Sequence, residues 1–208
     1  VPRDLVCFLS YRIYHCLLPS ILIYMLKLSL IDKKIDLVAE GYDLALRIGH
    51  MADSSLVSRK ISTTTLHFAA SQSYLEANSI PQTPDDLEHH NGLLYKNVMN
   101  QVNWVGSRIN QTQRFKIQSK VVSNSGLALL EMAKAGLGIV NLPRFIIGQS
   151  LEKGELIEVL PEYKQQKLEI HVLYPNRRHL PIKVRAFIEF LSGLGLCSEI
   201  LENPEDSR

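Results

Sequence analysis

Cysteine is scarce, charge is almost balanced, tryptophan occurs once, and no long apolar run goes uninterrupted. The three cysteines, Cys7, Cys16 and Cys197, lack metal-ligand spacing, and an odd number does not make a disulfide framework. They fit a reducing compartment; a Cys7–Cys16 bridge would depend on local geometry. A formal net charge of +2 gives no electrostatic case for wrapping nucleic acid, because such proteins gather Lys and Arg on one face. The nearest approach to a basic cluster, Asn176-Arg177-Arg178-His179, reads as a solvated turn. Residues 5–31 are strongly apolar, yet Arg12, His15, Pro19 and Lys27 interrupt them. The longest piece free of charge and histidine, residues 17–26, is ten residues long and contains Pro19 and Ser20, where a membrane span needs about 20. A secretory signal would show a basic start and a small-residue cleavage site; Arg3 is offset by Asp4, and no such site follows. A strand followed by a buried helix is expected there, no membrane contact, and a cytoplasmic protein. G-x-S-x-G, the Walker loop and HExxH are also absent, and Gly136-Leu137-Gly138 is too short for a dinucleotide fingerprint. No catalytic residue, cofactor or metal site is expected, and His67, His89 and His90 have no metal-ligand spacing.

What is present is an ordinary globular composition. The chain has 208 residues, 46% hydrophobic and 21% charged, enough for one large domain or two small ones. Strand and helix signals alternate, which indicates an α/β fold. Strands are expected at residues 6–10, 28–31, 44–48, 56–61 and 64–70. Pro19 suits the first turn of a helix reaching Lys27, and Gly41 can end a helical turn over 35–40. Ser71 is expected to cap a short helix, and Thr83-Pro84-Asp85-Asp86 has the grammar of another helix start. Short strands follow near 93–95, 102–105, 115–118 and 120–122. Asn124 is expected to cap the longest helical pattern, 125–135, with Gly136 as its stop. A buried strand, 137–142, leads to a helix opened by Pro143. Gly154 turns the chain into strands 156–160 and 168–174, and Pro181 opens a last amphipathic helix. The change of texture at Ser71 and the return of apolar strands after Gly154 divide the chain into a first lobe, residues 1–70 plus 148–208, and a second, residues 71–147.

IDLVAEGYDLALRIG, LHFAASQSYLEANSIPQTPDDLEHHNGLLY, WVGSR, AKAGLGIVNLP, LEKGELIEVLP and HVLYPNRRHLPIKVRAFIEFL occur in that order between residues 35 and 191, within a resemblance that covers about residues 28–194. Together they resemble the effector-binding domain of LysR-type transcriptional regulators. The resemblance implies a two-lobed α/β fold of the type 2 periplasmic-binding-protein kind, with two crossing segments and a small effector in the cleft. It also implies side-by-side, antiparallel homodimers, with tetramers in full-length regulators. The family's N-terminal winged helix-turn-helix is not seen in this sequence, so DNA contact is expected only through that missing domain. Residues 1–27 depart from the family's pattern. A solute-binding protein of a transport system would share the fold, but no signal peptide or lipidation cysteine supports it. An enzyme on this fold would need an acid/base pair that the sequence does not offer.

Ligands in open α/β sheets sit beyond the carboxyl ends of strands. Ser10 ends the first expected strand. Arg47, Ile48 and Gly49 end another, with Arg47 offering a fork of donors to a carboxylate and Gly49 admitting a ligand to the backbone. Structural duties for the same residues are an ion pair for Arg47 and a turn for Gly49, and Asp43 is expected to brace that turn. Ala70 and Ser71 mark the expected first crossing, at the floor of the cleft. Ser123, Asn124 and Ser125 stand at a helix start, where free N–H groups and the helix dipole favour an anion. Phe68 and Trp104 are read as core. The residue 17–26 helix is apolar almost all round, which places the dimer interface on Leu18, Leu22 and Met25.

Overall fold

The structure, a computed structural model, describes residues 5–6, 28–29, 36–49, 56–95, 103–108, 111–165, 167–175 and 180–193. Its strands in chain order are β1 (Leu5–Val6), β2 (Leu28–Ser29), β3 (Ala45–Ile48), β4 (Leu56–Ala70), β5 (Asn91–Tyr95) and β6 (Asn103–Arg108). They continue with β7 (Gln111–Lys116), β8 (Gln118–Ser123), β9 (Ile139–Pro143), β10 (Ile157–Glu158), β11 (Lys164–Gln165) and β12 (Lys167–Pro175). The helices are α1 (Gln72–Asn78), α2 (Gly126–Lys134), α3 (Arg144–Glu152) and α4 (Ile182–Gly193), with one 3-10 turn, Pro84–His89. Ser10, Leu18, Leu22 and Met25, and with them most of the expected first strand and helix, lie outside the described residues.

The chain forms two compact units, one from Val1–Thr64 with Leu168–Arg208, the other from Thr65–Lys167. The sequence set the return near residue 148. Instead α3 belongs to the second unit, because Ile147 is fully buried against Leu142, Leu129 and Ala133 in one apolar cluster.

In the first unit the strand order is β2-β1-β3-β12-β4. β1 is parallel to β2 and β3, and β12 runs antiparallel to β3. Leu44, Leu46, Ile170 and Val172 bury one face of this sheet against Val184, Phe187, Ile188 and Leu191 of α4. The apolar residues of α4 recur three to four apart, so they form a single stripe. Asp43 is buried and ion-paired with Lys183 at the start of α4. That contact braces the turn before β3.

The second unit carries β4-β9-β5-β8 with β10 on the other side of β4, and a small antiparallel sheet β11-β6-β7. Phe68 lies 5.0 Å from Trp104 and 5.5 Å from Phe115, centroid to centroid. These rings fill the space between the two sheets together with Ile139, Ile117 and Tyr163, as the sequence expected for Phe68 and Trp104. α2 and α3 cover the other face of the larger sheet.

Two expected strands, 56–61 and 64–70, are one. β4 runs without a break from Leu56 to Ala70 because Ser62-Thr63 contains no Gly or Pro to stop it, and β-branched residues suit extended backbone. The expected strand 156–160 shrinks to Ile157–Glu158. Val159 still donates its N–H to the Phe68 carbonyl at 2.9 Å, but Val159 and Leu160 join the aromatic core, and Leu160 takes a left-handed conformation, φ 53°.

Candidate functional site

In the second unit β5 is parallel to both β8 and β9, so their carboxyl ends share one end of the sheet. α2 follows β8 and α3 follows β9, and both helices therefore begin at that end. Their first turns touch. A Cβ added to Gly126 would lie 2.7 Å from Ile146 Cδ1, so a larger residue there would have to push the tip of the Ile146 side chain aside.

α2 is capped by Ser125, whose Oγ accepts the Ala128 N–H at 3.3 Å. Ser123 Oγ accepts the Ser125 N–H at 3.1 Å. Asn124, expected as the cap, is exposed and makes no capping bond. The correction has a local cause: the helix begins one residue later than expected, at Gly126, and the residue before it becomes the N-cap. α3 starts differently. Its N-cap is Pro143, no side chain caps it, and its first turn contains no acid. Arg144 occupies the first helical position, half-buried, and has no ion-pair partner among the described residues. Arg144 was not singled out from the sequence. The signal available was a Pro-Arg helix start without a capping residue, an arrangement that leaves first-turn N–H groups to an outside acceptor.

Ala70 and Ser71 are not at this end. β4 runs antiparallel to β9, with Leu66 opposite Pro143 and Ala69 opposite Val140. Its carboxyl end therefore faces the amino ends of the other strands. Ala70 is fully buried and pairs with Ile157. Ser71 is buried, and its Oγ accepts the Tyr74 N–H and shares a hydrogen bond with Ser73 Oγ. The structure does not bring this pair together with Ser123, Asn124 and Ser125. The chain passes from one compact unit to the other at Thr64 and Thr65, six positions earlier in the same strand, and passes back at Lys167 and Leu168. Thr64 is 2% exposed, and its hydroxyl has no hydrogen-bond partner among the described residues.

In the first unit, Ile48 packs against the α4 core and Arg47 lies cross-strand from His171 on the opposite face. Arg47 has no ion-pair partner among the described residues. Gly49 takes φ +104°, nothing approaches the place of its absent side chain, and its N–H is used by the Glu169 carbonyl at 2.9 Å. Its turn role is therefore filled. On the same face as Arg47, Lys60 Nζ donates to Glu169 at 2.6 Å, and His171 bridges Glu169 and Ser58 at 3.0 and 2.9 Å. The Lys60 bond, then the His171 bond, hold the Glu169 carboxyl down at about 2. His67 lies between Thr65 Oγ1 at 2.8 Å and Glu158 at 2.6 Å, so it is a bridging group of the sheet. Among the described residues no group of three His, Cys, Asp or Glu can hold a metal, and no helix is long and apolar enough to cross a membrane.

Two α/β units with strands running out and back are the mark of a two-lobed binding fold. The regulatory domain of CrgA from Neisseria meningitidis superposes with a TM-score of 0.77 over 92% of this chain and 98% of that one, at 24% identity. Full-length AphB of Vibrio cholerae gives 0.77 over 92% and 67%, at 23% identity. The fold is accordingly that of LysR-type regulatory domains, the type 2 periplasmic-binding-protein fold. Residues 26–194 match the LysR substrate binding domain, and the chain belongs to that family, whose members are transcriptional regulators and not enzymes. It is 86% identical over 153 residues to an HTH-type transcriptional regulator of Haemophilus influenzae, covering 74% of this chain and 53% of that protein. It is 33% identical to the HTH-type regulator YhjC of Escherichia coli, over 81% of this chain and 57% of that one. The chain spans about half the length of these relatives.

Proposed function

We propose that this chain is the effector-sensing domain of a cytoplasmic LysR-type transcriptional regulator, and that its second unit holds a small anionic effector where α2 and α3 begin. The observation that carries it is the meeting of two helix first turns at one end of a sheet, one uncapped and carrying Arg144. Helix N-termini favour anions, and an arginine adds a planar fork matched to a carboxylate. Ser123, Asn124 and the first-turn N–H groups supply further donors. Binding of DNA is assigned to the part of the regulator that this chain does not match. The test is a titration of the labelled chain with sodium propionate, followed by amide chemical shifts. Shifts confined to Ser125–Leu127 and Phe145–Ile147, weakened about 10-fold by Arg144→Ala as a charge-assisted bond is lost, support the site. Shifts elsewhere, or the same affinity in the variant, overturn it.

The domain is also proposed to dimerise. Among the described residues β8 is the last strand of its sheet, and beside it Val122 and Leu127 are 60% and 52% exposed. An open edge next to apolar side chains invites a partner, and a two-fold contact needs only one self-complementary patch. Sedimentation at micromolar concentration is expected to show a dimer that Leu127→Asp disperses; a wild-type monomer contradicts it.

A further inference from the structure

We propose that the joint between α1 and β5 is an acid-sensing latch: neutral His90 holds α1 onto the second unit, and a proton on His90 releases it. His90 is 5% exposed and its ring lies 5.8 Å from that of Tyr74 on α1. Tyr74 Oη sits 3.3 Å from His90 Nδ1 and 2.9 Å from the Asn91 nitrogen. The directions of these bonds follow from what each group has to give. The Asn91 N–H only donates, so Oη accepts it. Among the described residues Nδ1 is the one acceptor within reach of the phenolic hydrogen, and Tyr74 is buried, so the arrangement that satisfies this donor has Nδ1 present a lone pair, with the imidazole hydrogen on Nε2. A second proton on the ring puts an N–H where the lone pair was. The phenolic hydrogen loses its acceptor inside a buried site, and a charge appears there as well.

Among the described residues three titratable groups bear on the ring. Tyr74 faces it from α1; Asp86 and His89 face it from the 3-10 turn. Asp86 favours the charged ring, but its carboxylate already accepts the N–H groups of Gln82 and Thr83 at 2.9 and 2.8 Å. His89 opposes the charge. Burial is the largest influence, and it holds the His90 pKa below the ordinary 6.5. The group is thus neutral at pH 7 and takes its proton in acid.

The consequence spreads through Asn91. Its Nδ2 donates to the Leu137 carbonyl at 2.5 Å and its Oδ1 accepts the Lys120 N–H at 3.3 Å. Opening at His90 therefore loosens α1, the start of β8 and the turn between α2 and β9 together. All lie at the end of the sheet opposite the proposed anion site, so the latch does not depend on that site.

Hydrogen exchange of the chain at pH 7.5 and pH 5, corrected for intrinsic rates, tests it. Protection over residues 72–78 and at Asn91 is expected to fall in acid, and to stay level in His90→Phe, which keeps a ring against Tyr74 but takes no proton. An equal acid response in His90→Phe overturns the proposal. Should that variant fold poorly, wild-type NMR decides: the Asn91 amide and the Tyr74 ring are expected to titrate with the midpoint of His90, and an Asn91 amide indifferent to His90 sinks the idea.

Discussion

Replacing Ser125 with alanine removes the only side-chain cap of α2, and the structure fixes what that costs. Ser125 Oγ accepts the Ala128 N–H, one of the orphan donors of the first turn. Losing an N-cap costs about 1 kcal/mol. For a chain of this size that lowers the melting temperature by roughly 2–4 °C. The cleaner assay is local. If Ala128 exchanges through fraying of the first turn, about 1 kcal/mol makes its amide exchange roughly 5-fold faster, with little change at Ala133 farther along. Asn124→Ala is the control. Its side chain is exposed and bonds nothing in the cap, so its effect is expected within about 0.5 kcal/mol. The two residues are adjacent, both are good cap formers, and the sequence favoured Asn124. A larger loss from Asn124→Ala than from Ser125→Ala, or an Ala128 amide unmoved by Ser125→Ala, would refute the assignment of the helix start and with it the placing of Ser123, Asn124 and Ser125 around the proposed anion.

Other outcomes follow from single contacts. Gly138→Ala drives a Cβ into the Asn91 carbonyl oxygen, a backbone atom that cannot swing aside; overpacking of this kind costs about 1–3 kcal/mol, read as a lower urea midpoint, whereas Gly154→Ala meets open space and bears only the strain of φ +70°. Lys183→Met leaves the buried Asp43 carboxylate without its partner, a loss on the order of 2–3 kcal/mol since Lys183 is itself partly solvated; much of it should return in the Asp43→Asn, Lys183→Met double variant, and no loss in the single variant would deny the pair a role. Lys60→Met removes the main cause of the depressed Glu169 pKa, so its carboxyl titration should move from about 2 up towards 4.5. The sign is that of a lowered acid: this pair favours the folded state above 4.5 and fades as pH falls towards 2, and a Glu169 midpoint unchanged in the variant by carbon NMR would rule out Lys60 as its cause.

How far the sequence reached depended on how far away the deciding partner was. Ser71 capping α1, Thr83 opening the 3-10 turn, Gly136 at φ +81° after α2 and Gly154 at φ +70° after α3 are all settled within a few residues, and the sequence shows each. The family was legible for a related reason: six short pieces keep their order and spacing, which the match over residues 26–194 bears out. Strand direction is different. Ala70-Ser71 and Ser123-Asn124 both follow a strand, and both look like strand ends that open on a ligand. Only the antiparallel pairing of β4 with β9 sends the first to the far end of the sheet, and no local residue encodes that pairing. The same holds for Arg47 and Ile48, where period-two alternation guarantees opposite faces but only the docking of α4 on the Ile48 side says which face is core. Arg144 shows the converse case. Pro143 was legible as a helix opener, but the value of the residue after it depends on α2 beginning beside α3, across Gly126 and Ile146. A site built from two helix starts becomes visible only when the strands beneath them are known to be parallel, so the candidate site emerges from sheet topology where the fold class emerges from local punctuation.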